Sequence, residues 1–215
     1  MRSLALRIAT GCIFAVTLRA AAAQSSRVEK NTFISPANPA LRVEVNRRLR
    51  YVGSLPFTID DVAGGNRYVF VRATADKHVQ QMFIIQQEGF FPSSNDTYKY
   101  SITHAARLGE SDYQHSVIID DYDARVREEP GKEADLTQRF LRARGYVLEP
   151  EMVMSRFARP ADTQHKHEII FFCHENLSSY GHQLRDFPEG QDNPEKQKIL
   201  DKVDENCRNS FHVKR

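Results

Sequence analysis

Apolar and polar positions alternate along several short runs of the chain. Leu41-Arg42-Val43-Glu44-Val45 puts every second side chain on one face, the pattern of a half-buried strand. Arg67 to Arg72 and Val79 to Gln87 are denser in apolar residues, and Asp76 and Lys77 lie in the short stretch between them, which predicts a hairpin. Val62-Ala63-Gly64-Gly65-Asn66 reads as the turn leading into the first of these strands, and Gly89 and Pro92 stop the second. Thr97 to Ile102 alternates again and predicts a third strand, and Ser116 to Ile119 a short one after it. Tyr146 to Phe157 reads as extended, interrupted at Pro150. Glu168 to Cys173 is apolar on both faces, so it is expected near the centre of its sheet.

Two segments change period. Within Glu133 to Arg144, Leu136, Phe140, Leu141 and Ala143 fall near one helical face, and Gly145 stands where a left-handed C-terminal residue belongs. Asn193-Pro194-Glu195 combines a capping side chain, a proline for the first turn and an acid at the positive end of the helix dipole. Ile199, Leu200, Val203 and Cys207 then form one apolar stripe, predicting a helix over 194–208.

Short connections favour antiparallel pairing, and no regular alternation of strand and helix supports a doubly wound fold. The expected fold is α+β: a twisted, mainly antiparallel sheet of six to eight strands with two packing helices, 133–144 and 194–208. A calycin-like β-barrel with a C-terminal helix is the alternative, although a chain without tryptophan lacks the usual Gly-x-Trp of that barrel. Residues 24–40 read as an irregular lead-in and 41–215 as a single globular domain; a length of 215 residues with 40% hydrophobic content fits that organisation.

Residues 1–23 carry an export pattern. Met1-Arg2 is followed by an apolar run from Ile8 to Leu18 and by Ala21-Ala22-Ala23, a site for cleavage. The run is well short of the ~20 residues that span a bilayer. The expected location is therefore secreted or periplasmic, after cleavage. The segment holds Arg2, Arg7 and Arg19 and no acid, so its loss takes the formal charge from +2 to −1. That balance argues against nucleic acid as a partner, and no later segment is apolar for long enough to be a membrane span. Cys12 leaves with the signal, and Cys173 and Cys207 remain as an expected disulfide.

Chemical motifs are scarce. GxSxG, SxxK, HExxH and CxxC are absent, and Gly64-Gly65-Asn66 is followed by a strand rather than the helix N-terminus a phosphate loop needs. The acids around Asp120-Asp121-Tyr122-Asp123 lack a calcium-loop pattern. His165 and His167, two apart on an expected strand, are a candidate zinc or copper pair, with His104 or His115 as a third ligand. Otherwise no cofactor is expected. Aromatic residues concentrate on strands apolar on both faces. Phe70, Phe83, Tyr98, Tyr100 and Phe171 are the expected lining of a small-molecule site. The function this favours is non-catalytic binding of a small apolar or amphipathic ligand. A His-based metal-dependent or hydrolytic enzyme and an envelope structural or interaction protein are the alternatives.

Overall fold

A computed structural model of the chain describes residues 25–188 and 190–214. The export signal expected at 1–23 lies outside the described residues.

The chain opens with three short strands, β1 (Arg27–Glu29), β2 (Thr32–Ser35) and β3 (Leu41–Val45). Four more follow: β4 (Arg50–Ile59), β5 (Ala63–Ala73), β6 (Val79–Phe90) and, after a strap over residues 91–104, β7 (Ala105–Leu108). Next come β8 (Ser111–Asp121), helices α1 (Tyr122–Glu128) and α2 (Glu133–Arg142), β9 (Glu151–Pro160), β10 (His167–Asn176), helix α3 (Pro194–Arg208) and β11 (Phe211–Lys214).

Two antiparallel sheets result. The larger has seven strands in the order β4-β5-β6-β10-β9-β8-β7, and β10 is its middle strand, as its apolar run implied. The smaller is β1-β2-β3-β11. The fold is α+β with helices at the two expected places, and it is not a closed barrel. Both helix ends follow their local signals. Asn193 accepts from the backbone N–H of Glu195 and Lys196 at 2.9 and 3.2 Å, and Gly145 is left-handed at φ 79°.

Four expectations need correction. Residues 24–40 are not irregular throughout, because β1 and β2 form a hairpin there and join β3. Gly64 and Gly65 are not the turn; the turn is at Asp60 and Asp61, both left-handed at φ 43° and 56°, and the glycines lie inside β5. A side chain on Gly65 would strike the β6 backbone, its Cβ 2.8 Å from Glu88 Cα. Residues 97–102 form no strand but part of the strap. And the core has a second sheet in addition to the one foreseen.

The large sheet's two faces are covered differently. On one, Tyr68, Phe70, Phe83, Ile85, Phe157, Ile169, Phe171 and Cys173 meet Phe33, Val43, Val45 and Phe211 of the small sheet. Beside it, α3 packs Ile199 and Val203 against Val153. Cys173 of β10 and Cys207 of α3 stand at disulfide distance, Cα atoms 5.7 Å apart. On the other face Val69, Val71, Met82, Ile84, Met154, Ile170 and Phe172 pack under α1 and α2 through Tyr122, Ala134 and Leu141.

Candidate functional site

A cleft of about 460 Å³ opens where the small sheet meets the β7–β8 edge of the large one. Leu41 of β3, Val213 of β11 and Leu108 at the end of β7 form its apolar walls, and Tyr113 of β8 and Arg159 of β9 its polar side. The pairing of β8 with β9 sets His115 opposite Phe157. Carrying that register two residues further puts Tyr113 beside Arg159 on the same face. The Arg159 guanidinium carbon lies 5.3 Å from the centre of the Tyr113 ring.

These two residues are under-partnered. Tyr113 is fully buried, and its hydroxyl proton has no acceptor; the buried Arg159 Nε likewise has none. One Arg159 Nη donates to the Pro160 carbonyl at 3.2 Å. Among the described residues no carboxylate lies within ion-pair distance of it, although fourteen such pairs occur elsewhere, Arg156–Glu168 among them. An unsatisfied buried donor costs about 1–3 kcal/mol. Burial pushes the Tyr113 phenol up from its ordinary pKa, while Arg159, by donating toward the phenol oxygen and then by its charge, acts the other way, so the hydroxyl keeps its proton and remains a donor at neutral pH. Glu110 and Lys214 also line the cleft. Glu110 is itself engaged, and Lys214 is paired with Glu44 at 2.7 Å. The arrangement presents hydrogen-bond donors at the end of an apolar slot.

Arg159 also borders a second cleft of about 460 Å³, lined by Tyr100 and Ile102 of the strap and by Pro160 and His165. Beneath that strap Glu88 of β6 and Glu168 of β10 sit directly opposite one another, buried on the helix-covered face. The Tyr98 hydroxyl donates to Glu88 at 2.9 Å and the Tyr100 hydroxyl to Glu168 at 2.7 Å. Gln86 donates to Glu88, and Arg156 stands 3.6 Å from Glu168. Burial, with Glu88 adding to it, raises the Glu168 carboxyl to about 8. Glu168 therefore keeps its proton at neutral pH. With every neighbour drawn inward, the pair fastens the strap.

The expected lining residues do not surround one cavity. Phe70, Phe83 and Phe171 are fully buried and fill the space between the sheets. Phe83 stacks on Phe211 at 4.7 Å between ring centres, and Phe171 lies 5.1 Å from the same ring. Tyr98 and Tyr100 are on the strap, at the opposite face. The histidine pair does not share a strand face either. His165 is in the β9–β10 turn with φ 55° and meets the Tyr98 carbonyl at 3.1 Å. His167 begins β10 and binds Asp162 at 2.5 Å. No group of three or more His, Cys, Asp or Glu among the described residues is arranged to hold a metal ion.

A serine, a histidine and an aspartate do meet under α3. His115 Nε2 is 2.7 Å from Asp204 Oδ1, and the Ser155 hydroxyl donates to that same oxygen at 2.8 Å. The Ser155 hydroxyl is thus closer to the aspartate than to His115 Nε2, from which it stands 3.4 Å away, and Ser155 is fully buried. General-base activation of a serine needs the opposite arrangement, so this group clamps α3 to the sheet. Hydrogen bonds from His115, Arg208 and Ser155 outweigh burial and lower Asp204 to about 2. His174 is also enclosed, with neither ring nitrogen partnered; burial keeps it neutral, well below its ordinary pKa.

Sequence reading missed Tyr113 and Arg159. Their one signal was an arginine following Phe157-Ala158 on an apolar strand, and it pointed to no partner. Compared with known proteins, the chain matches no family model, no curated protein and no solved structure.

Proposed function

We propose that the protein is a non-catalytic binder of a small amphipathic ligand, held in the cleft between its two sheets and not among the core phenylalanines. The observation that carries this reading is the cleft of about 460 Å³, whose walls are Leu41, Leu108 and Val213 and whose polar side is Tyr113 and Arg159, with two unpartnered buried polar atoms. Small-molecule sites combine an apolar surround with a few placed polar groups in ~300–1,000 Å³. The Ser155–His115–Asp204 group is not set up for nucleophilic chemistry, and His165 and His167 do not converge. Both points favour binding over catalysis. We place this activity in an exported compartment, supported by the Ala21-Ala22-Ala23 pattern and by a cysteine pair at bonding distance. No helix among the described residues is long and apolar enough to cross a membrane.

The test is a titration of the ¹⁵N-labelled protein with octanol and with octanoate, followed by amide chemical shifts. Binding at this site gives saturable shifts centred on residues 39–41, 108–113, 159 and 213 with at least one probe. Shifts that fail to saturate with both probes, or that centre on Phe70, Phe83 and Phe171, would overturn the reading.

A further inference from the structure

The ligand class follows from what the cleft leaves unsatisfied. We infer that the ligand carries a carboxylate, which seats on the Arg159 guanidinium and accepts from the Tyr113 hydroxyl while its apolar part lies along Leu41, Leu108 and Val213. This inference rests on the binding role proposed above and adds the chemistry of the head group.

Three observations support it. First, Arg159 lacks an acidic partner among the described residues. The other half-buried arginines on this sheet and its helices are engaged: Arg156 with Glu168 at 3.6 Å and Arg125 with Asp120 at 2.5 Å. Arg67 donates to Gln86, to Thr137 and to the Glu133 carbonyl at 2.6–2.7 Å. A guanidinium is a planar fork of five donors that matches the two oxygens of a carboxylate. Arg159 spends one of those donors on a neighbouring carbonyl. Second, the Tyr113 hydroxyl is buried beside it, and its proton, which it keeps at neutral pH, has no acceptor among the described residues. Third, the remaining charges on the wall are occupied: Lys214 by Glu44, and Glu110 by an interaction of its own. Net positive charge without a partner is therefore concentrated at Arg159. An alcohol or an amine as head group would leave the guanidinium uncompensated, and a cation would be repelled.

The apolar wall separates two sources of the same chemistry. A short organic acid would use the polar side alone, whereas an acyl chain of about eight carbons would also cover Leu41 and Val213, at about 0.8 kcal/mol per buried methylene.

The experiment is calorimetric titration of the full chain with octanoate, octanol and butyrate at pH 7.5, repeated on Arg159→Gln and Tyr113→Phe. Octanoate is expected to bind about tenfold or more tightly than octanol, from charge-assisted hydrogen bonds. R159Q should remove most of that preference, weakening octanoate far more than octanol. Y113F should weaken octanoate by a smaller factor. Thermal melts of both variants within a few degrees of the parent show that the fold survives. If a variant fails this control, raising ionic strength on the parent protein must weaken octanoate and spare octanol. Butyrate binding as tightly as octanoate would assign the site to short organic acids, keeping the carboxylate and discarding the acyl chain. Octanol equal to octanoate, with no effect of R159Q, overturns the head-group inference while binding itself stands. No heat from any of the three probes, together with no saturable chemical shifts, removes the binding role.

Discussion

Glu168 has to be kept protonated by its surroundings. It is buried opposite Glu88, with Tyr100 and Arg156 against it and Tyr98 and Gln86 on its partner. Its carboxyl is raised from an ordinary 4.5 to about 8, mainly by burial. The folded state therefore holds a proton that the unfolded chain releases. The contribution of this group to stability is complete below pH 4.5 and is lost as pH rises through about 8. Denaturant midpoints measured from pH 5 to 9 should fall along that window, and Glu168→Gln should flatten the fall. A midpoint that rises over the same range would contradict a proton held on Glu168. The same cluster shows why one sequence pattern misled. Thr97-Tyr98-Lys99-Tyr100 alternates because two tyrosines reach down to two glutamates, and no strand lies beside them to pair with. Periodicity reports which side chains are buried, and a strap anchored by alternate hydroxyls has the same period as a strand.

Among the elements, α3 was legible in full, since its cap, dipole charge and apolar stripe all lie within fifteen residues of one another, whereas α2 begins where expected but ends at Arg142, two residues early, and has no side-chain cap. The three or four residues of β1, β2 and β11 leave too little alternation to read. They exist because the small sheet completes a core built by residues over a hundred positions away. The cleft was hidden for the same reason: Tyr113 and Arg159 become neighbours only through the pairing of β8 with β9. Helix α3 is held near its C-terminal end, by Asp204 on His115 and Ser155 and by Cys207 on Cys173. A disulfide closing a loop of about 33 residues stabilises by about 3.7 kcal/mol in the chain-entropy account. Reduction should lower the stability measured in urea by about that much while the α3 amides stay protected from exchange. Rapid exchange across α3 with the rest of the protein unaffected would show that the disulfide, and not the Asp204 clamp, holds the helix.

At the scale of the molecule, one sheet serves two unlike partners. Its aromatic face is closed by a second sheet, its other face by two helices and a strap, and both depend on the middle strand β10. Phe211 joins the layers, stacking on Phe83 and touching Phe171 and Phe157. Phe211→Ala should cost about 3–5 kcal/mol, as truncation of a buried phenylalanine does. Near-ultraviolet and far-ultraviolet dichroism should still report one coincident transition. Two separate transitions would mean that the small sheet unfolds on its own.

The pairing of β3 with β11 also sets a schedule. In chain order the strand that seals the aromatic cluster comes after every strand it seals. A chain delivered vectorially, residue by residue, must therefore carry Phe70, Phe83 and Phe171 past one another with the last strand of their lid still missing, partly exposed until residue 211 arrives. That interval is a window for a holdase chaperone, and its length is set by the rate of delivery and not by the stability of the finished fold.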